Sequence, residues 1–179
     1  MYGIIYKAIK KCVLEHADEQ AWEFIIAGAP VTFDAELMEQ PYNDDAILYL
    51  SQQLSVYLKE TPDKILYNFG TCVIKLVKDQ FPDIINGRGD TLKDYLVNLP
   101  NFHNRIMLIY PELTPPEFKI SSLTEDTLYL HYYTKTPGMK EFIRGYLEEI
   151  AKIFQSQGKV EHLNSNEAKT FEDVFKIRF

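Results

Sequence analysis

One histidine lies where an apolar helical pattern meets a proline-rich turn. The stretch from Leu92 to Lys119 reads LKDYLVNLPNFHNRIMLIYPELTPPEFK, with His103 near its centre. Apolar residues accompany His103 at helical spacing, whereas the other three histidines lie in polar or strand-like segments. A buried imidazole in such a place either makes a hydrogen bond in the core or serves as an axial ligand to a metal cofactor. Spacing alone favours the hydrogen-bonded core residue.

Zinc and haem iron differ in the number of protein ligands they need, which bears on the possibility that His103 is a metal ligand. A zinc site takes three or four protein ligands, and no cluster of Cys, His and carboxylate residues at ligand spacing accompanies His103. Haem iron receives four nitrogens from the macrocycle, so the protein needs to supply only one. A single histidine is therefore compatible with haem and hardly compatible with zinc.

The elements that would position His103 follow from periodicity. Helical patterns open the chain near Met1, recur around Trp22 and from Asp44, and run from Pro62 to about Phe81 behind a Thr61 cap. The segment 86–90 is expected to be a plain turn, and Thr91 to cap a short helix before Pro100. Strand propensity follows in FKISSL, TLYLHYYTK, KVEHL and DVFKIRF, interrupted by one long helix after Thr136 and Pro137. The predicted fold is α+β, with N-terminal helices followed by a small antiparallel sheet that one long helix interrupts.

Composition limits the class of protein. The chain has 179 residues, 46% of them hydrophobic, which predicts one domain over 1–179. A net charge of -7 argues against a nucleic-acid partner. Cys12 and Cys72 are expected to be reduced, partly buried thiols. Without a secretory signal or a run of transmembrane length, the chain is expected to be cytoplasmic and to have no membrane partner.

The residues after His103 carry a family resemblance. Tyr110-Pro111, Leu113, Pro115-Pro116 and Phe118 follow it in an order that resembles the H-NOX (haem nitric oxide/oxygen binding) family, which includes the haem domain of soluble guanylate cyclase. The similarity extends to MYGII, Trp22, Phe69-Gly70, LHYYTKTPGM and VFKIRF, and so covers essentially the whole chain. It implies haem b buried between the helical and sheet-containing parts, His103 as the proximal iron ligand, and Pro116 packed against the haem so that it distorts the macrocycle.

The resemblance also implies a propionate site that departs from the family pattern. Family members carry Tyr-x-Ser-x-Arg where this chain has Tyr132, Thr134 and Thr136, so Thr136 replaces the arginine. The loss removes a charged bidentate contact, which Lys135 cannot restore from the opposite face of a strand. Arg144 or a bulge is a possible compensation. The alternative is that these hydroxyls belong to ordinary strand and cap residues, with Thr136 capping the next helix.

The expected ligand is nitric oxide. Relatives that hold oxygen stably carry a distal tyrosine, and the corresponding position here falls at or next to Phe142. Tyr146, one turn further on, keeps an oxygen-binding sensor as an alternative. The remaining predicted pocket contacts are Ile5, Phe69, Gly70 and Met107. Gly70 is explained equally well by close approach of a flat ligand or by tight helix packing.

Signalling is expected to act in trans, since the resemblance implies a histidine kinase or a diguanylate cyclase as partner of stand-alone bacterial members. The chain itself is not expected to be an enzyme. One rival is a haem-free protein-interaction adaptor of the same fold, in which the missing arginine marks a lost cofactor. A second rival, a peroxidase-type haem enzyme, lacks a polar distal acid/base group in the distal segments.

Overall fold

Apolar side chains at intervals of three and four residues fold the first part of the chain into helices, and alternating ones fold the second part into strands. The computed structural model describes residues 3–29, 45–109, 116–163 and 172–179, without the side chains of Ile106 and Met107. Within these ranges the helices are α1 Gly3–His16, α2 Glu19–Ile26, α3 Asp45–Leu58, α4 Pro62–Gln80, α5 Pro82–Asn86, α6 Leu92–Ile109 and α7 Lys140–Ile153. The strands are β1 Glu117–Leu123, β2 Thr127–Tyr133, β3 Val160–Leu163 and β4 Glu172–Arg178.

Local signals explain where several helices begin. The Asp18 carboxylate accepts a hydrogen bond from the Ala21 amide at 2.8 Å and starts α2. Thr61 accepts from the Lys64 amide at 3.3 Å, and Pro62 occupies the first turn of α4. Thr91 accepts from the Asp94 amide at 3.1 Å before α6. The predicted helix starts at Thr61 and Thr91 are therefore confirmed.

The four strands form one antiparallel sheet in the order β1-β2-β4-β3. Side chains alternate between buried and half-buried along β2, so one face of the sheet packs on the core. Phe118 of β1 lies directly opposite Tyr132 of β2 on that face, and Leu130 lies opposite Phe175 of β4. The predicted α+β class is confirmed, with the strands following the first helices and α7 inserted between β2 and β3.

The sequence-based description of two segments differs from the structure. The predicted turn in 86–90 is present at Gly87 and Arg88, but the short helix α5 extends to Asn86 and Arg88 is 6% exposed. Helix α6 also does not stop at Pro100, which lies inside it. Buried Tyr95, Leu96 and Leu99 hold the preceding turns of α6 against the core, and this packing offsets the hydrogen bond that proline lacks.

The expected state of the cysteines was also wrong. Cys12 of α1 and Cys72 of α4 form a disulfide, with Cα atoms 5.9 Å apart. The packing of α1 against α4 brings the two positions together from 60 residues apart in the sequence. Neither cysteine is therefore the isolated thiol expected from the sequence.

Candidate functional site

His103 lies in a row of rings that joins α6 to the sheet. Its ring centroid is 5.1 Å from that of Phe118 on β1, and Phe118 in turn lies 5.4 Å from Tyr132 on β2. The ring of Phe102 meets His103 edge-on at 5.8 Å. His103 is half-buried, and its Nδ1 atom is shielded from solvent. The structure therefore brings together His103 and Tyr132, which the sequence predicted as iron ligand and propionate contact.

The surroundings of His103 keep its imidazole neutral. Burial is the largest cause and the nearby positive charge of Arg88 the second, and together they lower the pKa of His103 to about 3. A neutral imidazole retains the nitrogen lone pair that a metal ligand needs. His103 is thus in the protonation state that coordination requires throughout the physiological pH range.

Arg88 is a buried cation that the sequence analysis missed. Its guanidinium carbon lies 3.6 Å from the ring centroid of Phe102, and its Nη1 donates a hydrogen bond to the hydroxyl of Tyr95. Within the described ranges, no carboxylate lies at ion-pair distance from Arg88, and its Nε has no hydrogen-bond partner. A buried cation without a counter-ion is costly, so this position favours an anionic or electron-rich neighbour.

The hydrogen bond from Arg88 continues toward α7. The Tyr95 hydroxyl lies 2.7 Å from the Tyr146 hydroxyl. Burial raises the pKa of Tyr95 well above its ordinary value, so Tyr95 keeps its proton. Because Arg88 can only donate, Tyr95 is best satisfied by accepting from Arg88 and donating to Tyr146. That direction leaves the Tyr146 hydroxyl proton available to another acceptor.

The three predicted propionate contacts lie at the end of β2 and just beyond it. Tyr132, Thr134 and Thr136 are all buried. The Thr136 amide donates to the Thr134 hydroxyl at 3.1 Å, and the Thr136 hydroxyl donates to the Asp45 carboxylate at 3.1 Å. The interpretation of Thr136 as a helix cap was wrong, because α7 starts at Lys140 after a Met139 cap. A carboxylate therefore lies beside Thr136, where the family has its arginine.

The two cations considered as replacements for the missing arginine, Arg144 and Lys135, lie elsewhere. Arg144 bonds to the Glu141 carboxylate through Nε at 2.8 Å, and its Nη1 lies 3.6 Å from Glu148. Lys135 is exposed on the opposite side of the segment from the buried Thr134 and Thr136. Neither cation faces the cluster of threonine hydroxyls.

The predicted distal residues meet where α4 crosses α7. Phe69 and Phe142 are buried, and Gly70 lies so close to Phe142 that an added Cβ would be 2.9 Å from its carbonyl carbon. Gly145 of α7 lies equally close to the backbone of Tyr67 on α4. Tight helix packing therefore accounts for Gly70, one of the two explanations that the sequence left open.

The other predicted contacts are more scattered. Ile5 is half-buried on α1 and packs against the core, and Pro116 is half-buried immediately before β1. The Met107 side chain lies outside the described residues, although its backbone belongs to α6.

Comparison with known proteins decides the family. Residues 2–162 match the family model described as Haem-NO-binding. The chain belongs to this family. The haem-NO-binding chain is 26% identical to soluble guanylate cyclase gcy-32 of Caenorhabditis elegans, and the match covers 99% of the haem-NO-binding chain. It is also 26% identical to gcy-31 of the same organism over 97% of its length. It spans only 28% and 25% of those two proteins.

Solved structures show the same fold. The haem-NO-binding chain matches the H-NOX protein of K. algicida in its Fe(II) unliganded form, with a TM-score of 0.84 at 20% identity, covering 99% of this chain and 96% of that one. It matches an H-NOX protein from S. oneidensis in the Fe(II)NO ligation state with a TM-score of 0.85 at 15% identity, covering 99% and 98%. The predicted family is therefore confirmed.

Haem is the cofactor of this family, in agreement with the sequence prediction. The residues described here fit such a group. A neutral imidazole, aromatic rings on α6 and β1, and buried hydroxyls at the end of β2 and just beyond it offer a ligand, apolar walls and hydrogen-bond donors. Among the described helices, none is long and apolar enough to cross a membrane.

Proposed function

We propose that residues 1–179 act as a single, non-catalytic haem-binding sensor domain that takes up nitric oxide at ferrous haem b, with His103 as the proximal ligand. The observation that carries this proposal is the neutral, half-buried imidazole of His103 set against Phe118 and Tyr132. Haem, held by these residues, would supply an iron centre that binds a diatomic gas. The protein residues would hold the group, exclude water and respond to its ligand.

On the proximal side, His103 and Arg88 have complementary roles. Burial keeps the His103 imidazole neutral, so that one ring nitrogen is unprotonated. The Arg88 charge opposes any added positive charge in the same region. By the same Coulombic argument, Arg88 favours ferrous over ferric haem. Pro116 precedes β1 next to the ring row and is the proposed residue that distorts the macrocycle.

Tyr132 and Thr134 are the proposed propionate donors. Tyr132 near the end of β2 and Thr134 just beyond it are both buried and carry hydroxyl groups, whereas Thr136 donates its proton to Asp45. The Asp45 carboxylate would repel a propionate. We therefore expect Tyr132 and Thr134 to contribute more to haem retention than Thr136 does.

The distal residues support nitric oxide as the first choice. Phe142, at or next to the position where the resemblance implies a tyrosine in oxygen-binding relatives, is 3% exposed and offers no hydrogen-bond donor. One observation favours an oxygen-binding sensor as a second candidate. The Arg88–Tyr95–Tyr146 chain of hydrogen bonds leaves the Tyr146 proton available as a donor.

Signal output is proposed to pass through α6. His103 lies in this helix, and Leu108 and Ile109 at its end are 82% and 67% exposed. The two side chains are adjacent in the sequence, and contiguous exposed apolar surface is where contact with a partner would be made. A change at the histidine would shift α6 between two positions that a partner distinguishes. The proposed partner is a histidine kinase or a diguanylate cyclase acting in trans in the cytoplasm.

The test begins with the visible spectrum of the anaerobically reduced protein, before and after nitric oxide and then in air. We expect a ferrous haem spectrum that nitric oxide changes, with loss of the histidine ligand, and that does not form a stable new spectrum in air. A stable new spectrum in air that the Tyr146→Phe substitution abolishes would support the oxygen-binding candidate. A colourless protein, even after haem reconstitution, would favour the haem-free adaptor.

The ligand assignment has its own variant. His103→Gly should lose haem or its ferrous spectrum and regain both with added imidazole, whereas the matched His162→Gly variant should behave as the wild type. His162 is bonded to Asp173 at 2.8 Å on the sheet, far along the chain from the ring row. An unchanged ferrous spectrum in His103→Gly without imidazole would contradict the assignment.

A further inference from the structure

The disulfide between α1 and α4 lies next to a third potential ligand. Cys12 and Cys72 are 4% and 7% exposed, and His16 follows Cys12 by one helical turn on α1. Residues four apart lie on the same side of a helix, so Cys12 and His16 both face Cys72. The ligand atoms of the three side chains all lie within 4.8 Å of one another.

This cluster is separate from the proposed haem site. Cys72 and Gly70 are two residues apart on α4, so they point in nearly opposite directions around the helix. Gly70 faces Phe142 of α7, whereas Cys72 faces α1. None of the three residues is among the haem contacts predicted above.

The position of the imidazole suits a ligand that can move. The Nδ1 atom of His16 lies 2.9 Å from the Cys12 carbonyl oxygen and 3.9 Å from the Cys12 sulfur. A ligating histidine commonly donates its second ring N–H to a backbone carbonyl, which leaves the other nitrogen for the metal. His16 is exposed, so its ring can turn to present either nitrogen at little cost.

We propose that Cys12, His16 and Cys72 form a redox-switched site for a thiophilic divalent cation such as Zn²⁺. Two thiolates and one imidazole are the donor set that zinc prefers, and water completes the tetrahedron at the exposed edge beside His16. The oxidised pair, as in this structure, closes the site. The reduced pair opens it.

A dithiol can reduce the Cys12–Cys72 disulfide, and glutathione disulfide can re-oxidise the two thiols. A dithiol reductant gives two electrons to the Cys12–Cys72 bond, the S–S bond breaks, and the reductant becomes a disulfide. Zinc then binds as both thiols release their protons to solvent. In reverse, glutathione disulfide takes two electrons from the thiolates and picks up two protons as it becomes two glutathione thiols. The Cys12–Cys72 bond re-forms and the zinc ion is released.

The experiment uses the haem-loaded full chain, reduced with a phosphine, freed of reductant under anaerobic conditions and titrated with ZnCl₂ against a chromophoric chelator. We expect one zinc ion per reduced chain and none per oxidised chain. A parallel titration with Co²⁺ should give sulfur-to-metal charge-transfer absorption. Glutathione disulfide should release one zinc ion for each disulfide formed.

Three variants locate the site. His16→Ala changes an exposed residue and should weaken zinc affinity by at least about 100-fold, since a lost ligand costs more than a lost hydrogen-bond partner of a ligand, whereas His162→Ala should leave it unchanged. Cys12→Ser with Cys72→Ser should abolish binding. The proposal is overturned if the reduced wild type binds zinc no better than the double variant. It is also overturned if His16→Ala retains full affinity or Co²⁺ gives no charge-transfer band. The haem spectrum reports separately on the proposed gas sensor.

Discussion

The crossing of α4 and α7 gives the sharpest quantitative prediction. In a Gly145→Ala variant, the added Cβ would overlap the Tyr67 carbonyl oxygen and lie 2.9 Å from its carbonyl carbon and 3.1 Å from its Cα. Ordinary van der Waals contact begins near 3.4 Å, and the obstructing atoms are backbone, so the two helices must separate. The Tyr67 hydrogen bond to Glu148, 2.6 Å long, spans the same crossing and would lengthen.

Two opposing terms set the size of the effect. Alanine gains about 1 kcal/mol over glycine in helix propensity. Overpacking a rigid site costs about 3 kcal/mol, the upper part of the usual range. The expected net loss is about 2 kcal/mol in the free energy of unfolding, or about 4 to 8 °C in Tm for a domain of this size.

Urea unfolding followed by circular dichroism measures the loss, on haem-loaded and haem-free protein alike. The control is Gly28→Ala, where, among the described residues, the atoms that a Cβ would approach belong to the end of the Tyr49 side chain and not to backbone. That variant should stay within about 0.5 kcal/mol of wild type. A Gly145→Ala protein as stable as wild type would refute the close crossing of α4 and α7.

Three further predictions concern charge and crosslinking. Because the pKa of His103 is about 3 in the folded protein and 6.5 ordinarily, the unfolded chain binds the extra proton first as pH falls, so the haem-free protein should lose stability below pH 6.5. The part of the free energy of unfolding lost through His103 should reach about 2 kcal/mol at pH 5. It is measured as the difference between wild type and His103→Leu, and the two proteins losing stability in parallel as pH falls would contradict it. Reducing the Cys12–Cys72 bond, which closes a 60-residue separation, should lower the free energy of unfolding by up to about 4 kcal/mol in urea titrations; equal midpoints with and without reductant would argue against a formed disulfide. Arg88→Met should lower the haem midpoint potential on the order of tens of millivolts in a spectroelectrochemical titration, and an unchanged or raised potential would remove Arg88 from the haem environment.

Local patterns were sufficient to predict most of the elements. The start of α4 follows from Thr61 and Pro62. The Thr61 side chain caps the helix and the Pro62 ring fits its first turn, so both signals are local. The strands follow from their content of β-branched and aromatic residues and from side-chain alternation, as in β2, where leucines alternate with aromatic residues. His103 and Tyr132 were predicted as one site only through the resemblance, since their contact through Phe118 depends on the sheet register.

The missed features depend on tertiary packing and not on local residue patterns. The Cys12–Cys72 pairing joins two helices and leaves no trace in local spacing. Thr136 donates to Asp45 from 91 residues away, so its hydroxyl could not be assigned from its own segment. Arg88 stands between two glycines in a predicted turn, and its contacts with the Phe102 and Tyr95 rings appear only when α6 packs against that turn.

Pro100 makes α6 easier to bend near its middle. Proline has no amide hydrogen, so the Leu96 carbonyl one turn earlier has no helical partner at this point. Resistance to bending is therefore lowest between the buried turns at Leu96 and Leu99 and the half that carries His103. The first half is fixed in the core, and the second ends in exposed Leu108 and Ile109. A force applied at His103 would tilt the second half as a short rigid rod about Pro100, so a displacement at the ring becomes larger at the tip of the helix.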